Sequence, residues 1–316
     1  MELLKFLESL RTPFFDAFFS LITHLGSENV FTVLGLVIIW CVNKKWGFRY
    51  FIIGLMGNAV NQLLKGIFLI ARPWVVDESF TIVEAARAQA TGYSFPSGHT
   101  QSVISVFGTV AVWAKKRWIY VVSAAAILLV AFSRMYLGVH TLLDVGVSLI
   151  AGVGVVALLV WLFEKCDGNR RAKIAIGLGS LLFVIALVLY LFLAPTREAS
   201  VAQFDEDGKK AACTLLGTTL GFLLAWWVDD RYTHFEVKAV WWAQALKLLI
   251  GAGLILGVRV GLKPVLAAVF GESALVDALR YFLMALVGGT LWPMTFKFWS
   301  GLGRAKVEKN QNLPLT

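Results

Sequence analysis

Apolar residues run along this chain in blocks of up to about twenty, separated by short polar stretches, and that rhythm predicts helices long enough to span hydrocarbon. Such blocks lie near 48–70, 98–114, 118–132, 139–163, 172–194, 211–228, 240–262 and 276–297, the cleanest by length being 172–194 and 211–228. Ahead of them, 14–25 is only about half a bilayer long, and Gly26-Ser27-Glu28 separates it from 30–42. One long broken helix or a short re-entrant piece plus a span would both fit. The predicted fold is all-α, a polytopic membrane helical bundle with about eight or nine transmembrane spans. Residues 1–11 interleave Glu2, Lys5, Glu8 and Arg11 with Leu3, Leu4, Phe6, Leu7 and Leu10, which suits an N-terminal interfacial amphipathic helix. They lack the apolar run of a signal peptide.

Composition agrees with a membrane solvent. The chain of 316 residues is 58% hydrophobic and 16% charged, against about 25% charged in soluble domains. Its formal charge of +9 calls for no nucleic acid, because Lys and Arg gather in cytoplasmic loops of membrane proteins. Alternating the predicted spans puts fifteen basic residues on the side of 43–47, 115–117, 164–173, 229–238 and the tail from 297, and nine on the other. The first side is therefore read as cytoplasmic, which turns Arg72, His99 and Arg134 outward. The acidic run Asp205, Glu206, Asp207 falls in an outer loop, 195–210, on this reading. Cys41, Cys166 and Cys213 form neither a metal spacing nor an even disulfide set, and are read as structural.

The basic loop 164–173 is the one compositional shift, dividing a 1–163 core from a 164–316 transmembrane extension of unassigned role. In the second half Trp226, Trp227, Trp241 and Trp242 read as an interfacial aromatic belt, with a lipid-binding or homodimer surface as the alternative. No Asn-x-Ser/Thr sequon occurs, which suits a bacterial plasma membrane.

Polar residues collect in three clusters on the predicted outer side. Lys65 and Arg72 are seven apart, two helical turns, and would face one anion from the outer end of a span that Pro73 ends. In 93–100, Pro96 near a helix start leaves the amides of Ser97, Gly98 and His99 free to donate to an anion, with His99 beside it as a proton donor. In 133–144, Arg134 is a third cation, and His140 and Asp144 are four apart, on one face if the run is helical. That pair reads as a nucleophile and its orienting carboxylate. A metal held by His99, His140 and Asp144 competes, but Lys65, Arg72 and Arg134 would repel it and favour phosphate. His24 and His234 have no such company and are read as interfacial or packed.

Together, Lys65 to Pro73, Pro96-Ser97-Gly98-His99 and Ser133-Arg134 through His140 to Asp144 resemble the tripartite signature of the type 2 phosphatidic acid phosphatase superfamily. The resemblance implies a histidine phosphatase with catalytic His140, His99 and Asp144, and with Lys65, Arg72, Ser97, Gly98 and Arg134 on the phosphoryl oxygens. His140 would form a phosphohistidine that Asp144 orients, and His99 would protonate the leaving alcohol and then activate water. Neither metal nor cofactor is implied. The expected activity is hydrolysis of a membrane lipid phosphate or diphosphate at the outer, extracytoplasmic face. Phosphotransfer to another alcohol, a non-catalytic lipid-binding or transport module, and an oxidoreductase resembling vanadium haloperoxidases are the alternatives.

Overall fold

The computed structural model describes residues 1–195 and 202–302; the expected basic tail and part of the expected outer loop lie outside them. Among the described residues seven helices are long and apolar enough to cross a membrane, and an eighth crossing is formed if Pro13–Gly26 and Glu28–Val42, bent by 50°, count as one broken span. The predicted span 98–114 is helical, but at 17 residues it is shorter than the others and carries a wide π-turn at Ile104–Gly108.

The described residues form two units, the first from 1–32 and 49–216 and the second from 33–48 and 217–302. The first holds α1 (Glu2–Ser9), α2 (Pro13–Thr23), most of α4 (Lys44–Phe68), α5 (Pro73–Val76), α6 (Gly98–Val103), α7 (Thr109–Ala114), α8 (Arg117–Tyr136), α9 (Leu142–Lys165) and α10 (Arg170–Leu193). It extends to Leu216, within α11 (Ala202–Val228). Small residues bring its helices close around a buried glutamine. A Cβ at Gly57 of α4 would stand 2.7 Å from Gln101 Nε2, and one at Gly152 of α9 would stand 3.2 Å from its Oε1.

At one end of this unit the 77–90 loop folds over α8 as a roof. Leu4 and Leu7 of α1 are buried, Leu4 in a core with Phe80, Ile82, Ala86, Tyr136, Leu137 and Val139, while Leu3, Phe6 and Leu10 stay exposed. This two-faced helix is the one the residue pattern predicted. Polar bonds fix it: Lys5 pairs with Asp77 at 2.9 Å, Glu8 accepts from the Thr81 amide, and Arg11 donates to the Thr81 and Tyr136 carbonyls. Ser79, then Lys5, holds the half-buried Asp77 carboxyl down at about 2.

The second unit packs around Trp40, whose indole Nε1 donates to the Gly288 carbonyl at 2.9 Å. Lys247, in α12 (Trp241–Phe270), donates to the Val237 carbonyl and lies 4.4 Å from the Phe296 ring centroid, so its charge meets a dipole and a π-face rather than lipid.

Candidate active site

The three polar clusters meet at the roofed end of the first unit, though not by the helical spacings expected of them. Lys65 lies in the last turn of α4, which ends at Phe68, and Leu69 then takes a left-handed φ of 55°. Arg72 is the N-cap of α5 with Pro73 as its first residue, so Lys65 and Arg72 share no helix face and Pro73 starts a helix instead of ending one. What brings the two cations together is the 91–93 loop. Arg72 donates from Nη2 to the Thr91 carbonyl at 2.6 Å and from Nε to the Gly92 carbonyl at 2.9 Å, while Lys65 donates to the Tyr93 carbonyl. Three successive carbonyls thus orient two buried cations. The fork's remaining nitrogen, Nη1, reaches the Val139 carbonyl at 3.0 Å and His140 Nε2 at 3.1 Å.

His140 lies ahead of α9 rather than on it. Thr141 is the N-cap and Asp144 the third helical residue, closing a capping box in which the Thr141 amide donates to Asp144 Oδ2 at 2.7 Å and the Asp144 amide to Thr141 Oγ1 at 3.2 Å. The cap, not a shared face, places the carboxylate beside the imidazole. His140 Nδ1 is 3.4 Å from Asp144 Oδ2, inside ion-pair range but beyond good hydrogen-bond geometry, and Ser94 Oγ holds the same oxygen at 2.6 Å. A guanidinium can only donate, so Nε2 accepts and the ring proton sits on Nδ1, facing Asp144. Burial, then Arg72, Arg134 and Lys65, push the imidazole well below the ordinary histidine range. His140 is therefore a neutral base whose lone pair points at a cation.

Arg134 is fully buried in the last turn of α8. It donates from Nη1 to Thr23 Oγ1 at 2.8 Å, and its Nε and Nη2 are buried without a partner. Orphaned charged donors are costly unless an anion completes them. The Ser97 amide is not a free donor, since it binds the Asp144 carbonyl at 3.2 Å, and Ser97 Oγ caps α6 through the Thr100 amide. Helix α6 begins at Gly98, two residues after Pro96, so the amides of Gly98 and His99 open it. His99 lies within electrostatic reach of Arg134, His140 and Arg72. Its Nε2 meets Gln89 Oε1 at 2.9 Å, and Gln89 Nε2 meets Nδ1 of the exposed His24 at 3.4 Å. His24, read from the sequence as interfacial or packed, thus belongs to the outer shell of the site.

Sequence reasoning missed Thr23, Gln89 and the role of Ser94. Ser94 sits inside a cluster already singled out, whereas Thr23 and Gln89 carry no spacing signal. Beside Lys65 opens a cavity of about 220 Å³ between Thr91, Tyr93, Phe192 and Phe204. The whole arrangement sets a neutral imidazole, its proton facing a carboxylate, among three buried cations, with a second imidazole within electrostatic reach.

Two family models match the chain in order: the PAP2 superfamily over residues 46–167, and the PAP2 superfamily phosphatase transmembrane extension over 213–304. A probable sphingosine-1-phosphate phosphatase of Dictyostelium discoideum is 26% identical over 255 residues, covering 72% of this chain and 57% of that relative. Phosphatidylglycerophosphatase B of Bacillus subtilis is 26% identical over 171 residues, 50% of this chain and 78% of the relative. An undecaprenyl-diphosphatase of Sulfolobus acidocaldarius is 25% identical over 146 residues, 46% and 69% respectively. The chain spans little more than half the length of the first of these, and no solved structure matches it. Every residue of the three clusters falls within the first match, and the second covers most of α11 and all of α12; the chain belongs to the PAP2 superfamily.

Proposed function

We propose that this chain is a metal-independent phosphatase that hydrolyses a lipid phosphate or diphosphate at the extracytoplasmic face of the membrane through a phosphohistidine. One observation carries the reading: His140 Nε2 accepts from Arg72 while Nδ1 faces Asp144, so the nucleophilic lone pair points to where a bound phosphoryl group would lie. The His140 lone pair attacks phosphorus, the bond to the lipid oxygen breaks, and His99, which enters the step as its imidazolium beside the bound phosphoryl dianion, gives that oxygen its proton and is left neutral. His99 then takes a proton from water as the water attacks phosphorus, and the phosphorus–Nε2 bond breaks to release inorganic phosphate. Lys65, Arg72 and Arg134 neutralise the equatorial oxygens throughout, helped by the Gly98 amide, which is the chief demand of a loose phosphoryl transition state. Ser97 serves by donating its amide to the Asp144 carbonyl and by capping α6 through its hydroxyl, not by giving that amide to the phosphoryl group.

Sphingoid phosphates, phosphatidylglycerophosphate and polyprenyl diphosphates, the chemistries named in the relatives, are the compounds to try. The test is a panel of lipid mono- and diphosphates in detergent with EDTA present. Wild-type protein releases phosphate and acquires an alkali-stable, acid-labile label from a phosphorus-labelled substrate; His140→Ala does neither. Full activity in His140→Ala, or loss of wild-type activity to EDTA, overturns the proposal.

A further inference from the structure

The 91–93 loop that orients Lys65 and Arg72 is itself held from behind by acids of α11. Asp207 Oδ2 accepts from the Gly92 amide at 2.9 Å, and Asp205 Oδ1 accepts from the Tyr93 hydroxyl at 3.0 Å. Asp207 Oδ1 is fixed in turn by Gln203 Nε2 at 2.9 Å. Gly92 has a φ of +63° and is held at both ends, its amide on Asp207 and its carbonyl on Arg72. Phe204, next to Asp205 in the sequence, packs edge-on against Tyr93 with ring centroids 5.4 Å apart. Lys65 and Arg72 both lie within electrostatic reach of Asp207. The acidic run does not sit in a loop, as alternation of spans suggested. It lies in the opening turns of α11, where the helix dipole favours negative charge. Residues 202–212 fall between the two family matches, which end at 167 and resume at 213.

We infer that Asp207, seconded by Asp205, is a positioning residue of the phosphate clamp, fixing the three carbonyls that aim Lys65 and Arg72. The inference rests on the proposed phosphatase reading of the site. A carbonyl can aim a cation only if its own peptide is fixed, and the 91–93 loop lies outside any regular helix, with Thr91 and Gly92 as its first two residues. Bonding the Gly92 amide to a carboxylate also strengthens the carbonyl of the preceding peptide, that of Thr91, as an acceptor for Arg72, because hydrogen bonds through a peptide polarise one another. Neither aspartate touches the substrate in this scheme. Their effect therefore appears in phosphate affinity before it appears in the chemical step.

The experiment measures kcat, KM and the inhibition constant of inorganic phosphate for wild type, Asp207→Ala and Asp207→Asn in detergent. Asp207→Ala is expected to raise KM and the phosphate inhibition constant about tenfold with kcat within threefold. Asp207→Asn, which keeps an acceptor for the Gly92 amide, should recover values within threefold of wild type. Should Asp207→Ala fail to fold, Tyr93→Phe removes only the hydroxyl on Asp205 and is expected to weaken phosphate inhibition about threefold or more. An active wild type with Asp207→Ala or Tyr93→Phe indistinguishable from it overturns the inference while leaving the phosphatase reading intact, as does an Asp207→Asn as impaired as the alanine variant. A wild type that releases no phosphate from any lipid overturns that reading, and the inference with it.

Discussion

Arg72→Lys keeps the charge and removes the fork. Arg72 makes four contacts at 2.6 to 3.1 Å, three to carbonyls and one to His140 Nε2, from three different nitrogens. A lysine nitrogen at that depth is one point with three protons, so it can keep at most part of this set. At least two carbonyls then lose their donor in a buried site. Each unsatisfied buried group costs about 1–3 kcal/mol; taking the lower end, because a carbonyl can recruit water, gives about 2 kcal/mol. If that disorder falls on the clamp in the transition state, kcat/KM drops about thirtyfold. Steady-state hydrolysis of a short-chain lipid phosphate in detergent is the assay, with thermal unfolding and gel filtration as controls for fold. A folded Arg72→Lys within threefold of wild type would refute the reasoning, since it would show that charge alone suffices and that the carbonyl geometry is incidental.

Thr23→Val preserves shape but removes the one acceptor that holds Arg134. It is expected to lower kcat/KM about tenfold, at a cost of about 1–3 kcal/mol for the stranded guanidinium donor, and an unchanged value would show that Arg134 is held by packing alone. Folded His140 binds its proton more weakly than the unfolded chain does. Stability is therefore level above the ordinary histidine value of about 6.5 and falls as pH drops below it, since the unfolded state then takes up more protons. Nitrogen-15 NMR of the His140 ring in detergent should show the neutral, Nδ1-protonated form persisting through that pH; a midpoint at or above 6.5 refutes it.

Much of this site could be read from residue identity, and less from periodicity. Repeating apolar blocks predicted the spans well because hydrocarbon thickness imposes one length on all of them. The helix at 98–114 falls where its apolar block predicts it, with a π-turn that composition does not register. Lys65 and Arg72 were correctly paired for the wrong reason: a spacing of seven implies a shared face only while the helix continues, and here it ends at Phe68. His140 and Asp144 are a subtler case. A separation of four fits both a helix face and a residue placed just before the N-cap, and only the Thr141 cap decides between them. The amide of Ser97 was expected to be open because its intrahelical partner was missing, but a carbonyl from α9 supplied one. Thr23, 111 residues from Arg134, and Gln89, 65 from His24, were out of reach because nothing local marks a contact made across the fold.

The cations at the heart of the site are oriented chiefly by main-chain carbonyls, with Asp144 the one carboxylate within the motifs and Asp205 and Asp207 one layer back. A carbonyl dipole aims a cation without cancelling it. On the proposed phosphatase reading the pocket consequently keeps an appetite for dianions after the lipid has left, and inorganic phosphate, the product, is the dianion it meets first. Turnover is then expected to be paced by how readily that product escapes, and a slow steady rate following a rapid first turnover would be the outward mark of a clamp built from backbone.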